Sequence, residues 1–255
     1  MLSRAGVRRA AFSQAALVLA LFPLRSSAQA PGIPALLQRA IAVYQAEVHG
    51  IIGMQRHFST VIDAGIAKHG EESESGFLMN DGAFVKIKYY KVEDDGKAFS
   101  AEKIAERENE TNRSWSEGKV FFKEPYDRRY VGDYRFSEPQ ACSGCPEGTV
   151  ELSFTSAIRD EQHGNGDMWL ETATARVVRL TYTPNALPPH ATSGTVTETS
   201  GRALADLWYV TRIEETYRGH ELILSGTGTF TGTFDRFRRF PSLAEAETAL
   251  QEGTI

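Results

Sequence analysis

The sequence predicts an α+β fold in which one long amino-terminal helix and one short carboxy-terminal helix accompany a large antiparallel sheet. Three observations predict it. A stretch near the start carries a 3.6-residue apolar period, most of the remainder alternates with period two between turn residues, and a capping box stands close to the end.

The helix comes first. Leu37, Ile41, Tyr44, Val48, Ile51 and Ile52 recur at steps of three and four, which places them on one stripe. Pro34 suits the first turn, where a missing N–H costs nothing, and Gly50 and Gly53 mark the passage into a strand over Gln55 to Ile62. The polar run Lys68 to Ser75 reads as a turn. Phe77 to Met79 and Ala83 to Lys91 flank Asn80-Asp81-Gly82, a hairpin signal, and Asp94-Asp95-Gly96 turns the chain again. Alternation puts Val85, Ile87 and Tyr89 on one face and Lys86 and Lys88 on the other. Ser100 to Glu117 is charged and almost without large apolar residues, so a solvated helix around Ala101 to Asn109 or a loop of low order is expected. Asn109-Glu110-Thr111 and Asn112-Arg113-Ser114 match the glycosylation acceptor pattern, which has meaning only in a eukaryotic secretory pathway.

From Thr149 the chain reads as a meander. Val150, Leu152 and Phe154 alternate with polar residues, and Met168 to Thr172 and Arg176 to Tyr182 flank a Thr-Ala-Thr-Ala turn. Thr195 to Thr199, Leu207 to Tyr217 and Glu221 to Phe234 follow, the last two joined through Arg218-Gly219. Along Gly226 to Phe234, Thr227, Thr229, Thr231 and Thr233 take one face, while Gly226, Gly228, Phe230, Gly232 and Phe234 take the other. Glycine inside a strand commonly lets another backbone or a ligand come close. The long helix is the first expected occupant of that face and a ligand the second. Ser242-Leu243-Ala244-Glu245 opens the last helix, through about Leu250.

Composition bounds the function. With 41% hydrophobic and 24% charged residues, 255 residues suit a globular chain with one domain over 31–255. Residues 1–30 read as a cleavable signal peptide: Arg4, Arg8 and Arg9 precede the apolar run Ala15 to Phe22, and Ala28-Gln29-Ala30 is an A-x-A cleavage pattern. The run is too short for the about 20 apolar residues a membrane-spanning helix needs. No cysteine near the cleavage pattern offers a lipid attachment point, so a periplasmic or secreted location is expected, not an integral membrane protein. Removing the four arginines of that segment takes the formal charge from −5 to about −9, against nucleic acid or anionic lipid surfaces as partners.

No constellation for catalysis stands out, and no cofactor or metal site is expected. The six histidines are scattered, and His49, His57 and His69 lack metal-ligand spacing. There is no G-x-S-x-G elbow and no phosphate-cradling glycine loop. Cys142-Ser143-Gly144-Cys145 is the sharpest local motif. A redox site would need a thioredoxin-like unit and a zinc knuckle a second cysteine pair, so a local Cys142–Cys145 disulfide is favoured.

The order of elements, with Glu74-Ser75-Gly76-Phe77-Leu78, Ala83-Phe84-Val85-Lys86-Ile87 and the hairpin Met168-Trp169-Leu170-Glu171 to Val177-Val178-Arg179-Leu180, resembles the LolA-like superfamily, which includes outer-membrane lipoprotein-sorting proteins. Ala175 stands where that family usually has glycine, and the cysteine pair lies outside its pattern. The resemblance implies a strongly twisted antiparallel sheet forming a half-open β-barrel covered by the amino-terminal helix. It also implies non-catalytic binding or carriage of a hydrophobic ligand, a lipid or lipoprotein acyl chain, in the bacterial cell envelope. Alternation then nominates Val85, Ile87, Tyr89, Trp169, Phe230 and Phe234 as cavity residues, with core packing the competing role for each. An envelope sensor or interaction module binding a protein partner through 100–117 is the alternative reading. A hydrolase whose site is assembled from distant residues is the second alternative.

Overall fold

The computed structural model describes residues 32–65, 67–119, 122–221 and 224–255, so the signal-peptide segment lies outside the described residues. Among these, eleven strands form one antiparallel sheet, accompanied by three helices. The first helix, α1 (Ala35–Glu47), is followed by β1 (Ile51–Asp63), β2 (Lys68–Asn80), β3 (Ala83–Asp94) and β4 (Lys97–Ala98). Then come α2 (Ala101–Ser116), β5 (Tyr134–Phe136), β6 (Thr149–Ser156), β7 (Gly164–Glu171), β8 (Val177–Pro184), β9 (Ala191–Leu204), β10 (Leu207–Glu221), β11 (Leu224–Phe240) and α3 (Leu243–Glu252). The strand order is β4-β3-β2-β1-β11-β10-β9-β8-β7-β6-β5, not closed into a barrel, with β4 and β5 at the two edges. All neighbours but β1 and β11 are consecutive in sequence; that one pair joins the beginning of the sheet to its end.

Helix α1 stops at Glu47, so Ile51 and Ile52 belong to β1 and not to the helical stripe. Gly50, at φ 85°, makes the change of direction that an L side chain resists. Leu37 and Ala40 pack with Leu152, Phe154, Met168 and Leu180 on the inner face of the sheet, and Val48 joins Met54, Phe77 and Ile87. Glu47 anchors the helix end: it accepts from Arg176 Nε (2.9 Å) and from the Trp208 amide (3.1 Å). Helix α3 covers the opposite face, where Leu250 and Ala246 meet Leu78 and Phe240. Its Ser242 hydroxyl accepts from Glu245 N–H at 3.3 Å, as the capping box requires.

Three expectations change. The polar run 68–75 is not a turn but the first half of β2, paired with β1 throughout and with β3 from Glu71 onward. Its charges are satisfied tertiarily, Glu71 by Arg107 (2.7 Å) and His69 by Asp94 and Asp95 (3.1 Å each). Sheet pairing outweighs composition there. In the segment 100–117 the helix expected around Ala101 to Asn109 is present but longer, a regular 16-residue helix over Ala101–Ser116, held by Trp115, which is 7% exposed and stacks on Phe84 with centroids 5.1 Å apart. Strands β10 and β11 continue through Arg218-Gly219, where Gly219 pairs with Gly226, so the chain does not reverse at that dipeptide.

The two Asp-Gly turns behave as expected. Asp81 and Gly82 have φ of 50° and 78°, Asp95 and Gly96 of 49° and 74°, the paired positive values of a tight hairpin turn. Ala175, placed where the resembled family has glycine, has φ 59°, a backbone that disfavours a Cβ. Cys142 and Cys145 are joined as a disulfide with Cα atoms 5.4 Å apart. No helix among the described residues is long and apolar enough to cross a membrane.

Candidate ligand-binding cavity

The inner face of the sheet is not filled. A cavity of about 510 Å³ lies between strands of both halves, α2, Gly118 and the segments 122–130 and 184–188. That volume is within the range of small-molecule sites, roughly 300 to 1,000 Å³.

Strand register explains why the floor is open. Glu198 of β9 stands opposite Ile213 of β10, Ile213 opposite Gly232 of β11, and Gly232 opposite Phe58 of β1. These four residues form one row across the β1–β11 junction. Glycine at 232 leaves a gap in it, and an added Cβ would come within 3.2 Å of Phe58 Cδ2. The glycine face of β11 therefore looks into the cavity, and α1, expected to cover it, packs instead against β7 and β10.

Of the residues nominated by alternation, Tyr89, Phe230 and Phe234 line the cavity. Ile87 is fully buried in the core with Met54 and Phe77. Trp169 lies outside the lining, with Arg179 5.1 Å above its ring. Val85 is 42% exposed and also outside it. The cause is register: Lys86 faces Leu78 and Phe84 faces Met79, which leaves Val85 as the extra residue of a bulge. Tyr90 is a second. Each bulge shifts the alternation, so the inward residues of β3 are Phe84, Ile87, Tyr89 and Val92.

The apolar wall is aromatic. Phe58 and Phe230 lie 6.2 Å apart, Tyr217 meets Phe230 edge-on at 5.7 Å, and Phe77 contacts both Phe84 and Phe234. Arg56, 7% exposed, has its guanidinium 4.8 Å from the ring centres of both Phe58 and Phe77. Burial lowers its pKa, opposed by Tyr89 and Glu215.

The other wall is acidic and lies outside the six nominated residues. Glu198 is 3% exposed, and Glu124 lies beside it from the segment after α2. Burial raises the Glu198 carboxyl to about 7. Burial first, then the Glu198 charge and a hydrogen bond with Glu198, raise Glu124 well above the usual carboxylate range. Two such groups in contact share a proton and titrate as a pair. Burial also raises Glu215, nearby on β10. Asp127, in the same segment as Glu124, is paired with Arg129 (Nε–Oδ1 and Nε–Oδ2 both 3.0 Å), whose Nη2 donates to the Gly82 carbonyl at 2.8 Å. That bond ties the segment to the β2–β3 hairpin.

Other candidates for chemistry are placed apart from the cavity. His49 and His69 are exposed and paired with aspartates. His163, 1% exposed, is clamped between Asp160 (2.7 Å) and Asp133 (3.2 Å) and fastens the loop before β7. Cys142 and Cys145 are both oxidised in their disulfide.

The fold and the cavity thus define an open-sheet protein with an internal chamber, aromatic on one side and acidic on the other. No protein-family profile matches the chain. No curated protein matches it either. Among solved structures, similar ones include an outer membrane lipoprotein-sorting protein domain from Vibrio parahaemolyticus, 11% identical, covering 85% of this chain and 98% of that one with a TM-score of 0.43. A DUF1329 family protein from Desulfovibrio piger is 11% identical over 86% of this chain and 97% of that one, TM-score 0.40. A LolA superfamily protein from Nitrosomonas europaea is 10% identical over 84% and 97%, TM-score 0.37. The superfamily that the sequence resembles is represented among these structures. At such scores they carry no functional weight, which falls on the cavity itself.

Proposed function

We propose that this protein is exported to the cell envelope and there binds or carries a hydrophobic ligand, a lipid or acyl chain, without covalent chemistry. The carrying observation is the cavity of about 510 Å³ opened by Gly232 and walled by Phe58, Phe77, Phe230 and Phe234. Export rests on the first thirty residues, which have the three regions of a signal peptide in order. Each methylene buried in the cavity contributes about 0.8 kcal/mol, so affinity rises with chain length until the chamber is full.

Native mass spectrometry with organic extraction, on protein purified from the periplasm of an expressing bacterium, tests this. Co-purifying fatty acids or phospholipids, reduced in Phe230→Asp and Phe234→Asp, are the expected result. A clean ligand-free mass that also refuses added acyl probes would overturn the reading and leave partner binding as the better account.

A further inference from the structure

The row Glu198–Ile213–Gly232–Phe58 extends through Leu180, Met168 and Leu152 on the other side of Glu198. Glu198 is the one charged side chain in that stretch of apolar residues and glycine. Glu124 meets it from outside the sheet, so the cavity acquires a buried acidic end roughly 14 Å from Phe58, three strand spacings away.

A buried carboxylate is costly without compensation. Tyr182 hydrogen-bonds Glu198 and Tyr126 hydrogen-bonds Glu124, while Oε2 of each carboxyl has no hydrogen-bond partner. The arginines of the cavity wall are engaged elsewhere: Arg129 with Asp127, Arg107 with Glu71, and Arg56 between two phenyl rings. Beside Asp127 and Glu215, the pair's neighbours are aromatic. Tyr44, Tyr182 and Tyr209 line the same cavity, and Phe122 stacks on Tyr182 at 3.7 Å. A carboxylate among electron-rich rings is the chemistry that recognises an organic cation.

Resting on the reading of this cavity as a ligand site, we propose that its Glu124–Glu198 end recognises an ammonium group carried on an apolar body. The cation displaces the shared proton and lies among Tyr44, Tyr182 and Tyr209, while the apolar body runs over Gly232 toward Phe58 and Phe230. The ammonium belongs either to a free alkylamine or to a lipid headgroup. Binding then weakens in acid, as Glu198 takes up a proton near pH about 7. The groups that face the pair are Tyr44 from α1, Tyr126, Asp127 and Arg129 from the segment after α2, Tyr134 from β5, Tyr182 from β8, and Tyr209 and Glu215 from β10.

The test is calorimetric titration of delipidated protein with dodecylammonium, dodecanol and dodecanoate. Dodecylammonium should bind about tenfold more tightly than dodecanol, and dodecanoate more weakly than either. Glu198→Gln should abolish that preference, with circular dichroism reporting a retained sheet. Glu124→Gln should reduce the preference. Lysophosphatidylethanolamine favoured over lysophosphatidylglycerol of equal chain length identifies a lipid headgroup as the source of the ammonium. Preference for dodecylammonium alone identifies a free amine. Equal affinity for all three dodecyl probes, or a preference unchanged in Glu198→Gln, overturns the ammonium site and leaves the hydrophobic cavity standing. Failure of every probe to bind overturns both.

Discussion

At the residue scale, two side chains have consequences that a stability measurement can read. Glu198 has a folded-state pKa of about 7, above the ordinary 4.5, because burial penalises its charge. The fold therefore favours the protonated form. This contribution is fully present below the unfolded pKa and is lost as the pH rises through about 7. Urea unfolding of wild type and Glu198→Gln should show the stability difference moving in the variant's favour between about pH 5 and about pH 8, by on the order of a few kcal/mol. A difference that stays flat would contradict a buried, proton-sharing pair. Trp115 is the second case. Packed on Phe77 and Phe84, its replacement by alanine should cost roughly 3 to 5 kcal/mol in the same assay. The two residues differ in how readable they were. Glu198 alternates with Val196 and Gly194, all buried, and an acid on the apolar face of a strand is a signal available in sequence. Glu124 gave none, because it lies in an irregular segment where no period assigns a face. Trp115 was hidden by the surrounding charges of α2.

At the element scale, α2 protects the edge of the sheet. Strand β4 pairs with only the end of β3, leaving the middle of β3 without a strand neighbour on that side. Asn112 takes the vacant place: its Oδ1 accepts from Ile87 N–H at 2.8 Å, and its Nδ2 donates to the Ile87 carbonyl at 3.0 Å. Glu108 accepts from Tyr89 N–H at 3.3 Å. A side-chain amide thus imitates one residue of a missing strand, and the acceptor asparagine of the second glycosylation pattern is structurally committed. Asn112→Ala should cost about 1 to 3 kcal/mol by leaving part-buried backbone groups unpaired. It should also raise self-association in light scattering, since an exposed edge templates pairing. Unchanged stability and a monomeric profile would count against this role. Helices α1 and α3, the tight Asp-Gly turns and most strands were legible because local period and turn chemistry agree with the final fold. The first half of β2 was not, because what makes it a strand is two neighbours distant in sequence or across a turn. Nor was the inward set on β3, since a bulge leaves no mark in an alternating pattern.

At the scale of the whole molecule, the cavity belongs to neither half of the sheet. Phe58 comes from β1 and Phe230 from β11, and their strands meet at the junction between the two halves. Gly232→Leu should fill the floor there and abolish uptake of acyl probes, measured by native mass spectrometry, while circular dichroism shows the sheet retained. Retained uptake would place the ligand elsewhere.

The β1–β11 junction also sets an order of events in time. Ile51 pairs with Phe240, so β1 and β11 cannot pair until the chain through Phe240 is available, and loop closure over that distance is slow. During synthesis β1 to β3 precede β11, able to form their own hairpins, yet with one flank of β1 unpaired. The chamber exists only once the last strand arrives. The chamber is thus coupled to the arrival of β11, and a product truncated before that strand would retain local hairpins but lack the wall that Phe230, Gly232 and Phe234 supply.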